Sequence, residues 1–232
     1  MPNSSAEIFI DSWRVYEKVV AHNYMYHDEF HTKVKIYLEK KFGTSPINIL
    51  DLGCGDASGI NSITENITLN SYRGYDLSGT ALEYARAKFK DAEYSCILVQ
   101  KDIREAVKEA GEKYEVVYSS YALHHLSDEE KQKAFTAIYS TLVPGGVFIY
   151  IDIFRPQLES REEYLQGYIT WIYSEWHSLK DAEKALISNH VLENDYPASE
   201  DWMKKAALNT GFYIFNSPVN FHKHQLWLLE KE

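Results

Sequence analysis

The chain has few cysteines and no long apolar run. Two cysteines among 232 residues cannot form a stabilising disulfide framework, so we expect a reducing, cytoplasmic location. No apolar run approaches the ~20 residues that a membrane-spanning helix requires. The first residues also lack the basic and apolar segments of a secretory signal. We therefore expect no membrane partner.

Basic residues are also scarce. Lysine and arginine number 24 against 34 aspartates and glutamates, which gives a net charge of -10 at pH 7. Nucleic-acid binding requires clustered basic residues, so we expect no nucleic-acid partner. Aromatic residues, in contrast, make up 14% of the chain. They concentrate in residues 9–42 and 164–227, where they suit ordinary packing or a pocket for an organic acceptor.

Strand-like and helical segments alternate along the middle of the chain. Strand-like apolar runs occur at residues 47–52, 71–76, 94–100, 115–119 and 147–152. The helical patterns lie at 58–66, 79–90, 103–110 and 128–142. This alternation predicts crossover units and a parallel sheet with helices on both faces. The expected fold is therefore a doubly wound α/β sheet.

Helical sequence flanks and interrupts this core. Residues 6–42 read as helix with a break near 23–28, and residues 155–193 form a helical insertion. A helix at 199–210 precedes strands at 212–215 and 221–230, and the short connection between these strands predicts an antiparallel hairpin. We expect one domain, 1–232, divided into an N-terminal cap (1–44), a core (45–153), an insertion (154–198) and a C-terminal helix with hairpin (199–232).

Three acidic residues follow successive strand-like runs. Asp51 ends the first run and is followed by Gly53 and Gly55, whose lack of side chains lets the backbone approach a ligand. Asp76 ends the second run, where it can accept hydrogen bonds from ribose hydroxyls. Asp102 follows the third, where it is placed to bind an adenine amino group. The three acids predict a cradle for a nucleoside.

A nicotinamide dinucleotide is the alternative ligand for such a turn. Its binding pattern requires a third glycine three positions after Gly55, where this chain has Ser58. Asp51 would also repel the phosphates. A carboxylate there suits a ligand with cationic groups and no phosphate, such as S-adenosylmethionine, which carries an ammonium and a sulfonium. We therefore favour S-adenosylmethionine as the cofactor.

Five segments together resemble the class I S-adenosylmethionine-dependent methyltransferase family. They are residues 50–55, 74–78, 100–103, 118–126 and 142–146. The resemblance implies a Rossmann-like seven-stranded sheet whose last strand is antiparallel. It places the cofactor contacts at Asp51, Gly53, Cys54, Gly55, Asp76, Leu77, Asp102, Ile103 and Ser119, with Ser119 beside the methionine amino group. Ala57 stands where the family pattern usually has a third glycine.

The segment Leu123-His124-His125-Leu126 resembles the small-molecule branch of that family. The Asp/Asn-Pro-Pro-Tyr motif, which serves methylation of base amino groups and planar amides, is absent. His124 and His125 follow the fourth run, and Tyr24 and His27 lie in the kinked N-terminal segment that is placed to cover the site. These four are the candidate catalytic residues, with packing or helix capping as the alternative for each.

We expect no metal ion. His27 and His31 share a helix face, but the zinc-protease order, with glutamate directly after the first histidine, is absent. In the insertion, Tyr168, Trp171 and His177 are candidates to contact the acceptor, with a dimer interface or ordinary packing as the alternative. The chain is expected to be a monomer or a homodimer.

The sequence therefore predicts a methyltransferase that uses S-adenosylmethionine to methylate an oxygen or nitrogen of a small organic acceptor. One alternative is other chemistry on the same cofactor, such as forming a modified cofactor, which predicts a buried cationic residue near the methyl group. Another is a non-catalytic binding module, which predicts a donor cradle without an open acceptor cavity.

Overall fold

The apolar runs of the core form strands. The computed structural model describes residues 14–108, 113–216 and 218–232. Its strands are β1 (Ile47–Leu52), β2 (Leu69–Asp76), β3 (Ser95–Gln100), β4 (Tyr114–Ser120), β5 (Leu142–Arg155), β6 (Ala198–Ser199), β7 (Phe212–Ile214), β8 (Val219–Phe221) and β9 (His224–Lys231).

The helices lie between these strands and in the two predicted helical regions. They are α1 (residues 14–21), α2 (His27–Phe42), α3 (Ser58–Ile63), α4 (Gly79–Lys88), α5 (Ile103–Ala106), α6 (Asp128–Thr141), α7 (Arg161–Glu175), α8 (Asp181–Asn194) and α9 (Glu200–Thr210). Among the described residues, no helix combines the length and apolarity that crossing a bilayer requires.

Seven strands lie side by side in the order β3-β2-β1-β4-β5-β9-β7. The pairs among β1 to β5 are parallel, and β9 runs antiparallel to both β5 and β7. The doubly wound α/β fold with an antiparallel last strand is thus confirmed. In the described part of the chain the sheet has nine strands rather than seven, because β6 pairs with the end of β5 and β8 pairs with β9.

Several element boundaries differ from prediction. The last strand begins at His224 because a tight turn, with His222 at φ 54°, folds β8 back onto β9. The N-terminal helical region is divided by a turn in which Asn23 and Tyr26 have positive φ. The helix predicted at 103–110 ends at Ala106. Residues 6–13 and 109–110, which belong to two predicted helices, lie outside the described residues.

Buried apolar side chains cover both faces of the sheet. Val116 packs on one face with α2 and α4, while Val117 packs on the other with α6 and α9. Neighbouring residues of a strand separate in this way because side chains alternate across a sheet. A third cluster joins α1 and the two insertion helices to Ile153 near the carboxyl end of β5. The cap and the insertion are therefore packed together at the carboxyl edge of the sheet.

Candidate active site

The three predicted acids lie at one edge of the sheet. β1 pairs with β2 up to Leu52 opposite Tyr75, and β2 pairs with β3 up to Asp76 opposite Gln100. Asp51, Asp76 and Asp102 therefore lie near the carboxyl ends of three adjacent parallel strands. This is the edge at which open α/β sheets bind their ligands.

The turn after β1 requires glycine for a steric reason. Gly53 has φ +81°, and a Cβ on it would lie 2.3 Å from the Cβ of Ala122. It would also lie 3.6 Å from Cδ1 of Ile103. The amides of Gly53 and Cys54 both donate to the carbonyl oxygen of Tyr75, at 2.8 and 3.0 Å. The turn is thus fixed against β2 and packed against the segments that follow β3 and β4.

Asp51 is a buried carboxylate with an unused oxygen. Its side chain is 2% exposed, and Oδ2 accepts a hydrogen bond of 2.8 Å from the Tyr72 hydroxyl. Among the described residues Oδ1 has no hydrogen-bond partner. Burial raises the pKa of Asp51 to about 7, with Asp76 adding to the rise and the Tyr72 hydrogen bond opposing it. A cationic ligand group would satisfy this carboxylate.

Asp51 lines a cavity of about 380 Å³, which we call the strand-tip cavity. The glycine turn, the start of α3, the end of β4 and parts of α1 and α2 form its walls. Its described lining carries four carboxylates and no lysine or arginine: Glu17, Asp28, Asp51 and Asp56. This acidic lining fits the ammonium and sulfonium of S-adenosylmethionine and disfavours a pyrophosphate.

The described lining of the strand-tip cavity does not include Asp76, Leu77, Asp102 or Ile103. The two acids are held differently. Asp76 accepts backbone hydrogen bonds from Gly55 at 2.8 Å and Ser78 at 2.7 Å, and each oxygen keeps a further lone pair for a ribose hydroxyl. Asp102 caps α5 and pairs with Arg104, whose Nε lies 2.9 Å from Oδ1. That pairing lowers the pKa of Asp102. An adenine amino group at Asp102 would therefore share the carboxylate with Arg104.

Ser119, predicted beside the methionine amino group, is not in the described lining of the strand-tip cavity. Its buried hydroxyl donates to the carbonyl oxygen of Leu52 at 2.9 Å and so connects β4 to β1. The side chains of Tyr118 and Ser120 line the cavity instead. The reason is strand alternation, which directs Ser119 to the opposite face of the sheet.

A second cavity of about 490 Å³ lies between α1, the segment after β4, and the insertion helices; we call it the insertion cavity. Tyr121, Tyr168 and Trp176 contribute aromatic wall, and His124 and Asp195 contribute polar groups. Tyr16 lines both cavities, so the two adjoin at α1. A largely apolar cavity with a few polar groups is typical of a site for a small organic ligand.

His124 and His125 both lie in the wall of the insertion cavity. Nδ1 of His124 is 2.5 Å from Oδ1 of Asp152, and Oδ2 of Asp152 accepts the backbone amide of His124 at 3.0 Å. On the opposite side of the ring, Nε2 lies 3.5 Å from Oδ1 of Asp195. Burial acts to lower the pKa of His124, but the two carboxylates outweigh it and raise the pKa to about 9.

Sequence reasoning missed Asp152, Asp195 and His224. The buried His224 contacts the hydroxyl of Tyr121 at 3.0 Å and that of Tyr168 at 3.3 Å, so it holds two aromatic walls of the insertion cavity. Burial keeps the pKa of His224 well below its ordinary value. The sequence carried no local signal for these three residues, because their partners are distant along the chain.

The predicted contacts Tyr24, Trp171 and His177 also lie outside both cavity linings. Tyr24 stacks on Trp176 at 4.9 Å between ring centroids, and its hydroxyl lies 2.7 Å from Oγ of Ser178. Trp171 stacks on His222, and His177 is exposed. Tyr24 therefore attaches the N-terminal segment to the insertion, and its predicted catalytic role is not supported by its position. Of the three predicted acceptor contacts in the insertion, only Tyr168 lines the cavity.

His27 lies at the boundary of the two cavities. It lines the strand-tip cavity, and its ring contacts Tyr121 of the insertion cavity at 5.0 Å between centroids. Its Nε2 is buried and, among the described residues, has no hydrogen-bond partner. Burial, with a smaller effect of His31, lowers the pKa of His27 to about 3. His27 is therefore neutral at physiological pH.

Comparison with known proteins agrees with this architecture. A family model described as a methyltransferase domain matches residues 49–146. An uncharacterized methyltransferase of Synechocystis is 29% identical over 108 residues, which are 47% of this chain and 48% of that protein. Phosphoethanolamine N-methyltransferase of Plasmodium falciparum is 26% identical over 157 residues, 67% of this chain and 57% of that protein. The matched regions thus span about half the length of these curated relatives.

Solved structures show the same fold at low sequence identity. Magnesium protoporphyrin IX methyltransferase of Synechocystis, with bound S-adenosylmethionine, aligns with a TM-score of 0.63 and 16% identity, over 99% of this chain and 93% of that one. An S-adenosylmethionine-dependent methyltransferase of Clostridium acetobutylicum aligns with a TM-score of 0.65 and 13% identity, over 94% and 96% of the two chains.

Proposed function

We propose that the chain, whose residues 49–146 match a methyltransferase family model, is a class I S-adenosylmethionine-dependent methyltransferase and transfers a methyl group from this cofactor to an oxygen or nitrogen of a small organic acceptor. The observation that carries the proposal is the pair of adjoining cavities at the carboxyl edge of the sheet. One is acidic and formed around the glycine turn, the other is aromatic, and both are lined by Tyr16.

The strand-tip cavity is assigned to the methyl donor. S-adenosylmethionine supplies a methyl group on a positively charged sulfur, which leaves as a neutral thioether. Asp51 would hold the ammonium group, and the backbone at Gly53 and Gly55 would contact the methionine part. Asp76 and Asp102 would hold the adenosine. The other carboxylates of the lining favour the cationic donor over an anionic nucleotide.

His27 is the residue that we assign to orient the acceptor. Its side chain lines the strand-tip cavity, its ring lies against Tyr121 in the wall of the insertion cavity, and its buried Nε2 has no hydrogen-bond partner among the described residues. Because burial lowers the pKa of His27 to about 3, its neutral imidazole would accept a hydrogen bond from the acceptor rather than take up a proton. The remaining rate enhancement would come from holding the acceptor and the donor in the orientation required for transfer, in cavities that α1 helps to enclose.

The acceptor is proposed to carry an apolar or aromatic body and no phosphate. The described lining of the insertion cavity contains no lysine or arginine, the usual partners of phosphate. Phosphoethanolamine, which the name of the Plasmodium relative gives as its acceptor, carries a phosphate. That relative therefore supports N-methylation by this chain more than it supports phosphoethanolamine as the acceptor. The net charge of -10 also disfavours a nucleic-acid acceptor.

Two alternative functions receive less support from the cavities. Other chemistry on the cofactor predicted a buried cationic residue near the methyl group, and the described linings hold neither lysine nor arginine. A non-catalytic binding module predicted no acceptor cavity, whereas the insertion cavity measures about 490 Å³.

We also propose that residues 1–232 form one domain, in which the N-terminal cap and the insertion cover the core. The proposal includes a cytoplasmic location, which is supported by the two free cysteines, Cys54 and Cys96.

Calorimetric titration with S-adenosylhomocysteine, followed by a methyl-transfer screen of amines, phenols and carboxylic acids, tests the function. We expect one donor site per chain and turnover of at least one apolar acceptor. His27→Gln should lower kcat by up to about 10²-fold, because the acceptor is positioned less well, while donor affinity is retained. Absence of donor binding by the wild-type chain would refute the proposal.

A further inference from the structure

Two histidines and an aspartate converge on one point in the wall of the insertion cavity. One ligand atom from each of His124, His125 and Asp195 lies within 4.8 Å of the others. Oδ1 of Asp195 is 3.5 Å from Nε2 of His124 and 3.3 Å from Nδ1 of His125. We propose that these three side chains bind one divalent transition-metal ion.

The two distances fit a metal better than they fit ion pairs. Charge-assisted N–H···O hydrogen bonds measure ~2.7–2.9 Å, and both separations are longer. Two ligands each at ~2.0–2.1 Å from a tetrahedral ion lie ~3.3 Å apart, because the edge of the tetrahedron is ~1.6 times the bond length. The observed separations match that edge.

Asp195 supplies the anionic ligand. It is 4% exposed, and its Oδ1 contacts the two imidazoles at long distance without a hydrogen bond of ordinary geometry. A metal ion between the three groups would replace these long contacts with bonds to one cation. The backbone amide of Tyr196 donates to the carbonyl oxygen of His124 at 2.7 Å, so Asp195 is held beside the two histidines.

Asp152 orients His124 for this role. It contacts Nδ1, which leaves Nε2 directed at Asp195. A carboxylate behind a ligating histidine fixes the ring and its tautomer, and such pairs are usual at zinc sites. Nδ1 of His125 also lies 3.2 Å from the carbonyl oxygen of Asn194, so the ion would replace that contact.

Two imidazoles and one carboxylate leave coordination positions open, as in catalytic zinc and non-haem iron sites. All three side chains line the insertion cavity, so the open positions face the space assigned to the acceptor. The ligand taken there would be an oxygen or nitrogen atom of a small molecule. This last assignment depends on the proposed function, whereas metal binding does not.

Titration of the chelator-treated protein with Zn²⁺ tests the site, because metal uptake displaces protons from the ligand nitrogens and is measured as one binding event. We expect one equivalent per chain. His125→Ala and Asp195→Asn should each weaken Zn²⁺ binding at least about 100-fold, because losing a group that only orients a ligand already costs ~10–100-fold. His125 is partly exposed, so its substitution leaves the core intact.

Two variants serve as controls. His177→Ala removes an exposed histidine outside both cavities, and His31→Ala removes one member of the His27–His31 pair. Both should bind Zn²⁺ like the wild type. The inference is overturned if the wild type takes up no Zn²⁺, if His125→Ala and Asp195→Asn bind normally, or if only His31→Ala loses the metal.

Titration of every variant with S-adenosylhomocysteine separates this inference from the proposed function. Retained donor binding in His125→Ala and Asp195→Asn, together with lost Zn²⁺ binding, supports the metal site and shows that the fold is intact. Zn²⁺ binding without donor binding in the wild type would refute the proposed function and leave the metal site supported.

Discussion

The two cavities differ in what forms them. The strand-tip cavity is formed around the turn after β1, where residues 51–60 supply backbone and side chains next to each other along the chain. The insertion cavity is lined by side chains from Val15 to Asp195, which come from the cap, the segment after β4 and the insertion. Binding of a ligand by the backbone at strand ends is shared by many proteins of one fold. Side chains on variable segments, in contrast, set the specificity of the individual protein.

The largest expected effect tests whether the backbone defines the strand-tip cavity. Gly53→Ala places a Cβ 2.3 Å from that of Ala122 at φ +81°, so backbone strain and steric overlap add. We expect a loss of roughly 3–5 kcal/mol in unfolding free energy and no donor binding. Gly55→Ala is the matched control. Its Cβ would meet nothing within 4 Å, so backbone strain at φ +54° is the only expected cost to folding. Its loss should be about 1–2 kcal/mol. Equal losses in urea unfolding would contradict the steric account.

Asp51→Asn tests the charge of the same cavity. Loss of a charge-assisted hydrogen bond costs ~1.5–3 kcal/mol, so donor affinity should fall about 10–100-fold. Asp56→Asn is the control, because Asp56 lies in the same lining but already pairs with Lys88. Its effect on donor affinity should be smaller. Equal effects of the two variants would show that total charge, rather than the buried position of Asp51, determines binding.

The same variant has a pH-dependent effect on stability. Folding raises the pKa of Asp51 from 3.8 to about 7, so its contribution favours the folded state at low pH and is lost as pH rises between those values. Asparagine does not ionise. Asp51→Asn should therefore match the wild type below pH 4 and exceed its unfolding free energy by roughly 2–4 kcal/mol above pH 7. Thermal unfolding from pH 4 to 8 measures this, and a constant difference would contradict it.

Ile187→Trp tests whether the insertion cavity holds the acceptor and not the donor. Ile187 is partly buried in that lining, so a larger side chain would reduce the space for an acceptor. The acceptor KM should rise about tenfold or more, with donor Kd unchanged. Leu192→Trp, at an exposed position of the same helix, should change neither value. A weakened donor Kd in Ile187→Trp would remove the distinction between the cavities.

The smallest effect concerns the position where the family pattern has a third glycine. Ala57 has φ 59°, a conformation that costs a non-glycine residue ~1–2 kcal/mol. Its methyl group is buried and contributes ~0.8 kcal/mol. Ala57→Gly should therefore change unfolding free energy by less than about 1 kcal/mol and leave donor affinity unchanged. A larger loss in urea unfolding would show that the methyl group supports the turn.

The strand-tip cavity was largely predictable because its signals are local. Asp51 and the glycines are close together in sequence, and the parallel pairing of β1, β2 and β3 brings Asp76 and Asp102 to the same edge. The alternation of side chains along β4 was also readable from the sequence, and it places Ser119 on the face opposite to Tyr118 and Ser120. Arg104, which engages Asp102, was visible two residues away but was not considered.

The insertion cavity was less predictable because its contacts join distant segments. Asp195 lies beside His124 and His125 only through the path of the chain after α8. His224 reaches Tyr121 and Tyr168 from the last strand. Tyr24 was predicted at the active site and lies against Trp176 instead. A helical pattern shows which residues share a face, but not the neighbour against which that face packs.

The sequence alone determined the order of strands and helices, the glycine turn and the acids at the strand ends. Hydrophobic period and glycine chemistry act over a few residues, so they can be read locally. Only the tertiary structure decided which side chains enclose the acceptor space, and that His124, His125 and Asp195 meet. Contacts between segments far apart along the chain depend on how the helices pack, which no local pattern specifies.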